Sequence, residues 1–190
     1  ENLESVINFV KSKGMACSVY GAQYLLEGLY RNNEAAYAKQ LIVDTTHNRT
    51  WWNMIQIGST MTLESWNIAL KPNLDWNHAW GTAPANIITR NMWGIQPLSP
   101  GFGKAAIAPQ LAGINSSEIT VPTIKGAIKA KFKKLDDGSE VYELLLPKTM
   151  QATFKLPNKK YKDLLVNGKS KKNKKRIVLK KEHNIIEIKF

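Results

Sequence analysis

Glu64-Ser65-Trp66 and the nearby Asp75-Trp76-Asn77-His78-Ala79-Trp80-Gly81 hold the residue types that a sugar site uses. All six tryptophans of the chain, Trp51, Trp52, Trp66, Trp76, Trp80 and Trp93, fall within or just beside this stretch. Indole faces pack on the C–H face of a pyranose, while a carboxylate and an imidazole take its hydroxyls or activate water. Glycosidases generally use two carboxyl groups. In inverting enzymes one protonates the leaving oxygen and the other deprotonates the attacking water. On spacing alone, Glu64 reads first as a helix-start carboxylate or an ion-pair partner. His78 is equally readable as a satisfied histidine near a helix entrance, and Trp66, Trp76 and Trp80 as core.

The motifs also carry a family resemblance. Glu64-Ser65-Trp66 resembles the Glu-x-Trp signature of bacterial α-L-rhamnosidases, the family 78 glycoside hydrolases. His78-Ala79-Trp80-Gly81 with Pro84 is similar to the segment that follows it there. Ile95-x-Pro97-x-x-Pro100-Gly101-Phe102, then Ile107-Ala108-Pro109, resembles the junction into the family's C-terminal β-domain. The resemblance runs from about Gly14 to the C-terminus. It implies that Glu64 is the general base of an inverting hydrolysis and that His78 hydrogen-bonds a rhamnose hydroxyl. Trp66, Trp76 and Trp80 would shape the pocket. Thr62-Leu63 replaces the family's commoner Thr-Thr-(aromatic or Ile)-Trp before the glutamate, so the pocket wall differs. The family's general acid lies upstream of anything matched here.

The elements that must position these residues change character along the chain. Residues 1–93 carry seven basic and seven acidic side chains, and residues 94–190 carry twenty and eight. The second half therefore holds the whole net charge of +12, and the first holds the tryptophans. Opposed compositions predict two domains, 1–93 and 94–190. In the first, Val6, Ile7 and Val10 suit one face of a helix. Ser18 to Tyr30 predicts a second helix with Tyr20, Tyr24, Leu25 and Leu29 along a face. Asn33 is placed to cap a third, running through Ala35, Ala38, Leu41 and Ile42 to about Asp44. Thr45 to Leu74 reads as a long irregular segment of the kind that carries function. A fourth helix is expected over Trp76 to Trp93, bent or truly begun at Pro84. Paired helices point to an αα-toroid that these few cannot close. The resemblance implies about the last third of an (α/α) six-hairpin barrel; by itself the pattern also fits a small complete bundle.

Gly94 to Pro100 reads as a linker, after which the period becomes two. Ile128, Ala130 and Phe132 alternate with lysines. Ala152, Phe154 and Leu156 do so with polar residues, and Ile186, Ile188 and Phe190 with Glu187 and Lys189. Asp136-Asp137-Gly138 and Asn167-Gly168 are hairpin signals. Six to eight strands of this kind predict an antiparallel β-sandwich, giving an α+β multidomain chain.

Other chemistries find little support. Cys17 is the only cysteine, which excludes a disulfide framework or a cysteine zinc site and reads as a small buried thiol on a helix. No metal or organic cofactor is expected. No apolar run is long enough for a membrane span, and no signal peptide is visible at Glu1-Asn2-Leu3. The resemblance implies a periplasmic or secreted setting. The run Lys169-Ser170-Lys171-Lys172-Asn173-Lys174-Lys175-Arg176 reads as a solvated hairpin tip. No recognition helix or base-stacking platform accompanies it, so no nucleic acid is expected. The expected partner is a rhamnose-containing glycan or glycoside, with self-association through helix faces that lack neighbours. The rivals are an (α/α)-barrel glycosidase of another sugar, a non-catalytic basic carbohydrate- or polyanion-binding module, and a nucleic-acid-binding β-domain.

Overall fold

The structure, a computed structural model, describes residues 2–171 and 173–190. Glu1, and Lys172 of the basic run, lie outside the described residues. The chain forms two compact units, Glu1–Ile88 and Thr89–Phe190.

The first unit holds α1 (Asn2–Lys13), α2 (Ala22–Arg31), α3 (Ala35–Val43), α4 (Trp51–Gln56) and α5 (Ala83–Ile87). Helix α2 buries Ala22, Leu26, Leu29 and Tyr30. That is a stripe at helical spacing. The helix begins at Ala22 rather than Ser18, so Tyr20 precedes it, and Tyr20 and Tyr24 are wet, at 53% and 61% exposure. The two phenol oxygens bond each other at 3.1 Å and leave the rings to solvent. Asn33 does not open α3. It takes φ of 63°, and Glu34 N–H returns to the Leu29 carbonyl at 2.9 Å. This left-handed close satisfies the last carbonyls of α2. Helix α3 then buries Ala35, Ala38 and Leu41, as its spacing predicts.

Two further expectations change. The segment read as irregular contains α4, whose first turn is capped by Thr50, its hydroxyl accepting from Asn53 N–H at 3.0 Å. The single helix expected over Trp76 to Trp93 is divided into a 3-10 turn Ala79–Gly81, then α5, then a π-helical turn Ile88–Met92. Pro84 sits in the first turn of α5. Lacking an N–H, it can begin that helix but not continue an earlier one. Cys17 lies in the connection between α1 and α2, half-buried, rather than on a helix. Helix α1 buries none of its residues; Leu3, Val6 and Phe9 are 58%, 55% and 62% exposed.

The second unit is built of β1 (Gln96–Pro97), β2 (Lys104–Ile107), β3 (Ser116–Val121), β4 (Ile128–Lys134), β5 (Glu140–Leu145), β6 (Gln151–Lys155), β7 (Asp163–Val166), β8 (Lys169–Ser170), β9 (Arg176–Leu179) and β10 (His183–Lys189). They form a four-stranded sheet, β1-β2-β6-β9, and a six-stranded sheet, β3-β4-β5-β10-β7-β8. Ile128, Ala130 and Phe132 of β4 are buried while the lysines between them are exposed, as the alternation requires. Phe154 of the smaller sheet meets Tyr142 of the larger at 5.0 Å between ring centres, and Tyr142 meets Phe132 at 5.0 Å. The sheets therefore share one core, in which each buried aromatic contributes roughly 1.5–3 kcal/mol. Burial also pushes the Tyr142 phenol far above its ordinary pKa, with nearby Glu140 adding to the effect.

The turn signals behave as expected. Asn167 and Gly168 both take positive φ, 52° and 73°, the mirror-image turn that suits the twist of the β7–β8 hairpin. Gly94 has φ of 63°, and a Cβ there would lie 2.3 Å from the Ala108 carbonyl oxygen, so the chain must carry glycine at this junction. Two features differ from the expectation. The pair β2·β6 is parallel within an otherwise antiparallel sandwich. The basic run is not a hairpin tip, because β8 and β9, which flank it, belong to different sheets. It is a crossover.

Candidate active site

The candidate site lies on the first unit, in the connection between α4 and α5. Two short stretches of this connection pair through their main chains. Glu64 N–H donates to the Asp75 carbonyl at 3.0 Å, and His78 N–H donates to the Thr62 carbonyl at 2.9 Å. Thr62 adds a side-chain bond, its hydroxyl donating to the His78 carbonyl at 2.5 Å. Leu63, between them, is fully buried and aims inward, so its neighbour Glu64 must aim outward. Gly81 closes the arrangement. A Cβ there would lie 2.8 Å from the Thr62 Cβ, and its carbonyl accepts from the Trp51 indole at 2.8 Å.

This ladder brings Glu64, Asp75 and His78 together. One Glu64 oxygen takes a short bond from the Lys71 ammonium, and the other accepts from Asp75 N–H at 3.1 Å. These two bonds, Lys71 first, hold the carboxyl below its ordinary pKa, with the charge of Lys71 and the His78 ring adding to them. The Asp75 carboxylate turns back on its own loop. Oδ1 accepts from Asn77 N–H at 3.0 Å, and Oδ2 lies 3.4 Å from His78 Nδ1. Its pKa is also lowered, by the Asn77 bond and then by His78. His78 Nδ1 thus faces a carboxylate, which fixes the ring and leaves Nε2 as the nitrogen directed elsewhere.

The tryptophans separate into two kinds. Trp66 is 2% exposed, its indole N–H donates to the Cys17 carbonyl at 2.7 Å, and its ring meets Trp51 edge-on at 5.1 Å. It packs beneath the site, in keeping with the core reading of its spacing, and an edge of it lines the cleft described below. Trp76 and Trp80 are 45% and 64% exposed. Trp80 meets His78 edge-on at 4.4 Å and Tyr20 at 6.1 Å, and Tyr20 meets Tyr24 at 5.7 Å. The result is an exposed aromatic row beside the histidine. Tyr20, in the turn before α2, and Tyr24, in its first turns, were not anticipated at the site.

A cleft of about 320 Å³ runs between the 16–19 segment, Arg49 and the Glu64-Ser65-Trp66 turn. Its size is in the range of small-ligand sites, about 300–1,000 Å³. Glu64 lines it; His78, Trp76 and Trp80 do not. Ala16 and Arg49 also line a second cleft, of about 510 Å³, reaching Lys11, Gln40 and His47. Arg49 and Lys71 are the cations of the site that the motifs did not reveal. Other carboxylates of the unit are engaged locally: Glu27 with Gln23 and Arg31, Asp44 with Thr46 and His47. The pKa of Asp44 is lowered too, by the bonds from Thr46 and His47, which outweigh an opposing effect of burial. A general acid needs the opposite displacement. Among the described residues no group of three or more His, Cys, Asp or Glu side chains is placed to hold a metal, and no helix is long and apolar enough to cross a membrane.

Residues 2–92 match the model of the bacterial alpha-L-rhamnosidase 6 hairpin glycosidase domain, and residues 94–171 match that of the bacterial alpha-L-rhamnosidase C-terminal domain. The chain belongs to the bacterial α-L-rhamnosidase family. It is 32% identical over 117 residues to an alpha-L-rhamnosidase of Alteromonas sp. (strain LOR), a match covering 57% of this chain and 12% of that protein. Among solved structures it is similar to the Streptomyces avermitilis α-L-rhamnosidase complexed with L-rhamnose, with a TM-score of 0.80, 17% identity, and coverage of 98% of this chain and 19% of that one. The α-L-rhamnosidase from Dictyoglumus thermophilum gives a TM-score of 0.79 at 15% identity, covering 90% of this chain and 21% of that one. At these identities the structural likeness establishes a shared fold: a helical-hairpin portion followed by β-sheets. The chain spans only about an eighth to a fifth of the length of these relatives.

The Lys71–Glu64 pair has a measurable consequence. Glu64 has a folded pKa below its unfolded one. Its contribution to stability is therefore present above the unfolded pKa and lost as pH falls through the folded pKa. Lys71→Gln should move the Glu64 carboxyl pKa upward, toward the ordinary carboxylate range, in a carbon-13 NMR titration. An unmoved titration would show that Lys71 does not hold the carboxylate.

Proposed function

We propose that this chain supplies the general base to a glycoside hydrolase that removes terminal α-L-rhamnose with inversion. Glu64 is that base, and its partner acid lies outside the chain. The observation that carries the reading is the fixed, ionised carboxylate of Glu64, facing a small cleft and tied through the main chain to His78 and its aromatic row. Family membership supports the substrate class. A base must be unprotonated when water arrives, and hydrogen bonds from Lys71 and Asp75 N–H favour that state. His78, oriented by Asp75, donates to or accepts from a sugar hydroxyl. Trp76 and Trp80 offer apolar faces to the ring or its C6 methyl. The mechanism needs no metal or organic cofactor. Residues 1–93 would be part of the catalytic barrel and 94–190 the β-domain, a division supported by the break between the matched segments at residue 93.

The exposed apolar side of α1 fits the same reading. Leu3, Val6 and Phe9 would pack on further barrel helices. In the chain alone they have no such cover, and bare apolar surface favours association. The 190-residue chain should show a concentration-dependent mass by light scattering, reduced in Val6→Ser/Phe9→Ser. A concentration-independent monomer would contradict this.

In the longer enzyme, Glu64→Gln keeps size and hydrogen bonding but removes the base. Turnover of an aryl α-L-rhamnoside should fall by at least about 10²–10⁴-fold, the scale of general acid–base catalysis, with substrate binding retained. Proton NMR of fresh product from the parent enzyme should show the inverted anomer first. Near-normal turnover in the variant, or initial release of the retained anomer, would remove Glu64 from this role.

A further inference from the structure

The two clefts of the first unit meet at Arg49, which with Ala16 lines both. Its backbone is held in place. Thr50, the next residue, is 1% exposed, caps α4 and donates its hydroxyl to the His47 carbonyl at 3.1 Å. Trp51 follows, with its indole on the Gly81 carbonyl. The side chain of Arg49 is half-buried, yet nothing nearby claims its charge. The carboxylates that line the clefts are Glu64 and Asp44. Glu64 is taken by Lys71 and Asp75 N–H, and Asp44 by Thr46 and His47. Among the described residues no hydrogen bond or ion pair engages the Arg49 guanidinium. Cys17 lines the smaller cleft too. Burial pushes its thiol above the ordinary pKa, and the charge of Arg49 opposes that rise, which marks the guanidinium as its neighbour.

We propose that Arg49 is a substrate-binding residue, whose guanidinium donates to hydroxyl oxygens of a neutral sugar held in the cleft beside Glu64. The inference rests on the reading of Glu64 as a glycosidase base. The charges of the cleft select the class of ligand. An anion drawn to Arg49 would be repelled by the Glu64 carboxylate that lines the same cleft, and a cation drawn to Glu64 would be repelled by Arg49. A sugar is uncharged, and each of its hydroxyls both accepts and donates. One therefore accepts from Arg49, which has only donors, while its neighbours are free to donate toward Glu64. The planar fork of arginine is pre-organised, so little ordering is lost when it takes two oxygens at once, the arrangement that adjacent hydroxyls of a pyranose offer. Ser18 adds a further group: its oxygen accepts from Gly21 N–H at 3.0 Å, which leaves its own O–H to donate. Val19, Leu70 and an edge of Trp66 supply apolar wall for the C–H faces. The volume, about 320 Å³, is at the small end for ligand sites and suits one sugar ring.

The test is made in the longer enzyme with two substrates, an aryl α-L-rhamnoside and an α-L-rhamnosyl-glucose disaccharide. Arg49→Leu should raise KM by about ten- to a hundredfold, the worth of hydrogen bonds to a charged group, with a smaller change in kcat. Arg49→Lys keeps the cation without the planar fork and should raise KM as well. Far-ultraviolet circular dichroism identifies variants that have kept their fold. A rise with both substrates places the bonded oxygen on the sugar being cleaved, and a rise with the disaccharide alone places it on the sugar that carries it. Cys17 reports on the cleft directly. Its alkylation by N-ethylmaleimide, followed by mass spectrometry, should be slowed by the disaccharide or the sugars it releases in the parent enzyme, and not in Arg49→Leu. A parent-like KM on both substrates in a folded variant, or a Cys17 that sugar does not shield, would overturn the proposal. Shielding by inorganic phosphate in place of sugar would overturn it too. The reading of Glu64 fails separately. Normal turnover in Glu64→Gln, with Arg49 still governing the shielding of Cys17, would leave the sugar contact assigned and remove the general base.

Discussion

The candidate site depends on a main-chain pairing between two short stretches of one long connection, Thr62 to Glu64 against Asp75 to His78. A carboxylate and an imidazole are both strongly solvated and adopt many rotamers. Nothing in their side chains alone would keep them together. The pairing does so from the backbone, whose N–H and C=O groups are strong hydrogen-bonding partners at fixed positions along the chain. Once Glu64 N–H is committed to the Asp75 carbonyl, the Asp75 N–H is within reach of the Glu64 carboxylate, and His78 follows three residues later at the Thr62 carbonyl. Leu63 anchors the inward side and Gly81 permits the close approach behind it.

That constraint also sets the electrostatics. Glu64 is solvent-accessible, so burial does little to it; hydrogen bonds and the Lys71 ammonium decide its state. A lowered pKa favours the charged carboxylate and, for the base we propose, favours readiness over intrinsic strength. Trp66 contributes from beneath. Its indole N–H binds the α1–α2 connection through Cys17, and Asn53 donates to its carbonyl at 2.8 Å, so the turn that carries Glu64 is fastened on both sides.

What the residues reveal in advance follows from the range of each interaction. The strands around Ile128, Ala130 and Phe132 and the Asn167-Gly168 turn are legible because alternation and positive φ are local properties. The parallel pairing of β2 with β6 joins residues far apart in sequence, and no local pattern announces it. The basic run looks like a hairpin tip because each of its flanks reads as a strand; only the sheet order shows that it crosses between sheets. Glu64 and His78 stand out by type and motif, yet Lys71 and Arg49 do not, since a lone cation in a loop is unremarkable until it is seen beside a carboxylate or a cleft. Trp66 and Trp80 are chemically alike, and spacing cannot distinguish the one that is buried from the one that is exposed. The divided helix from Ala79 to Met92 was half legible: Pro84 marks the break, but the 3-10 and π turns on either side arise from packing.

The central claim is that Glu64, held ionised by Lys71 and the Asp75 N–H, acts as the base. The most direct test is the pH dependence of kcat/KM for the longer enzyme, with and without Lys71→Gln. The acidic limb should lie below the ordinary carboxylate range in the parent, and it should move to higher pH in the variant as Glu64 loses its partner. An acidic limb that stays in place would show that the group governing activity is not Glu64.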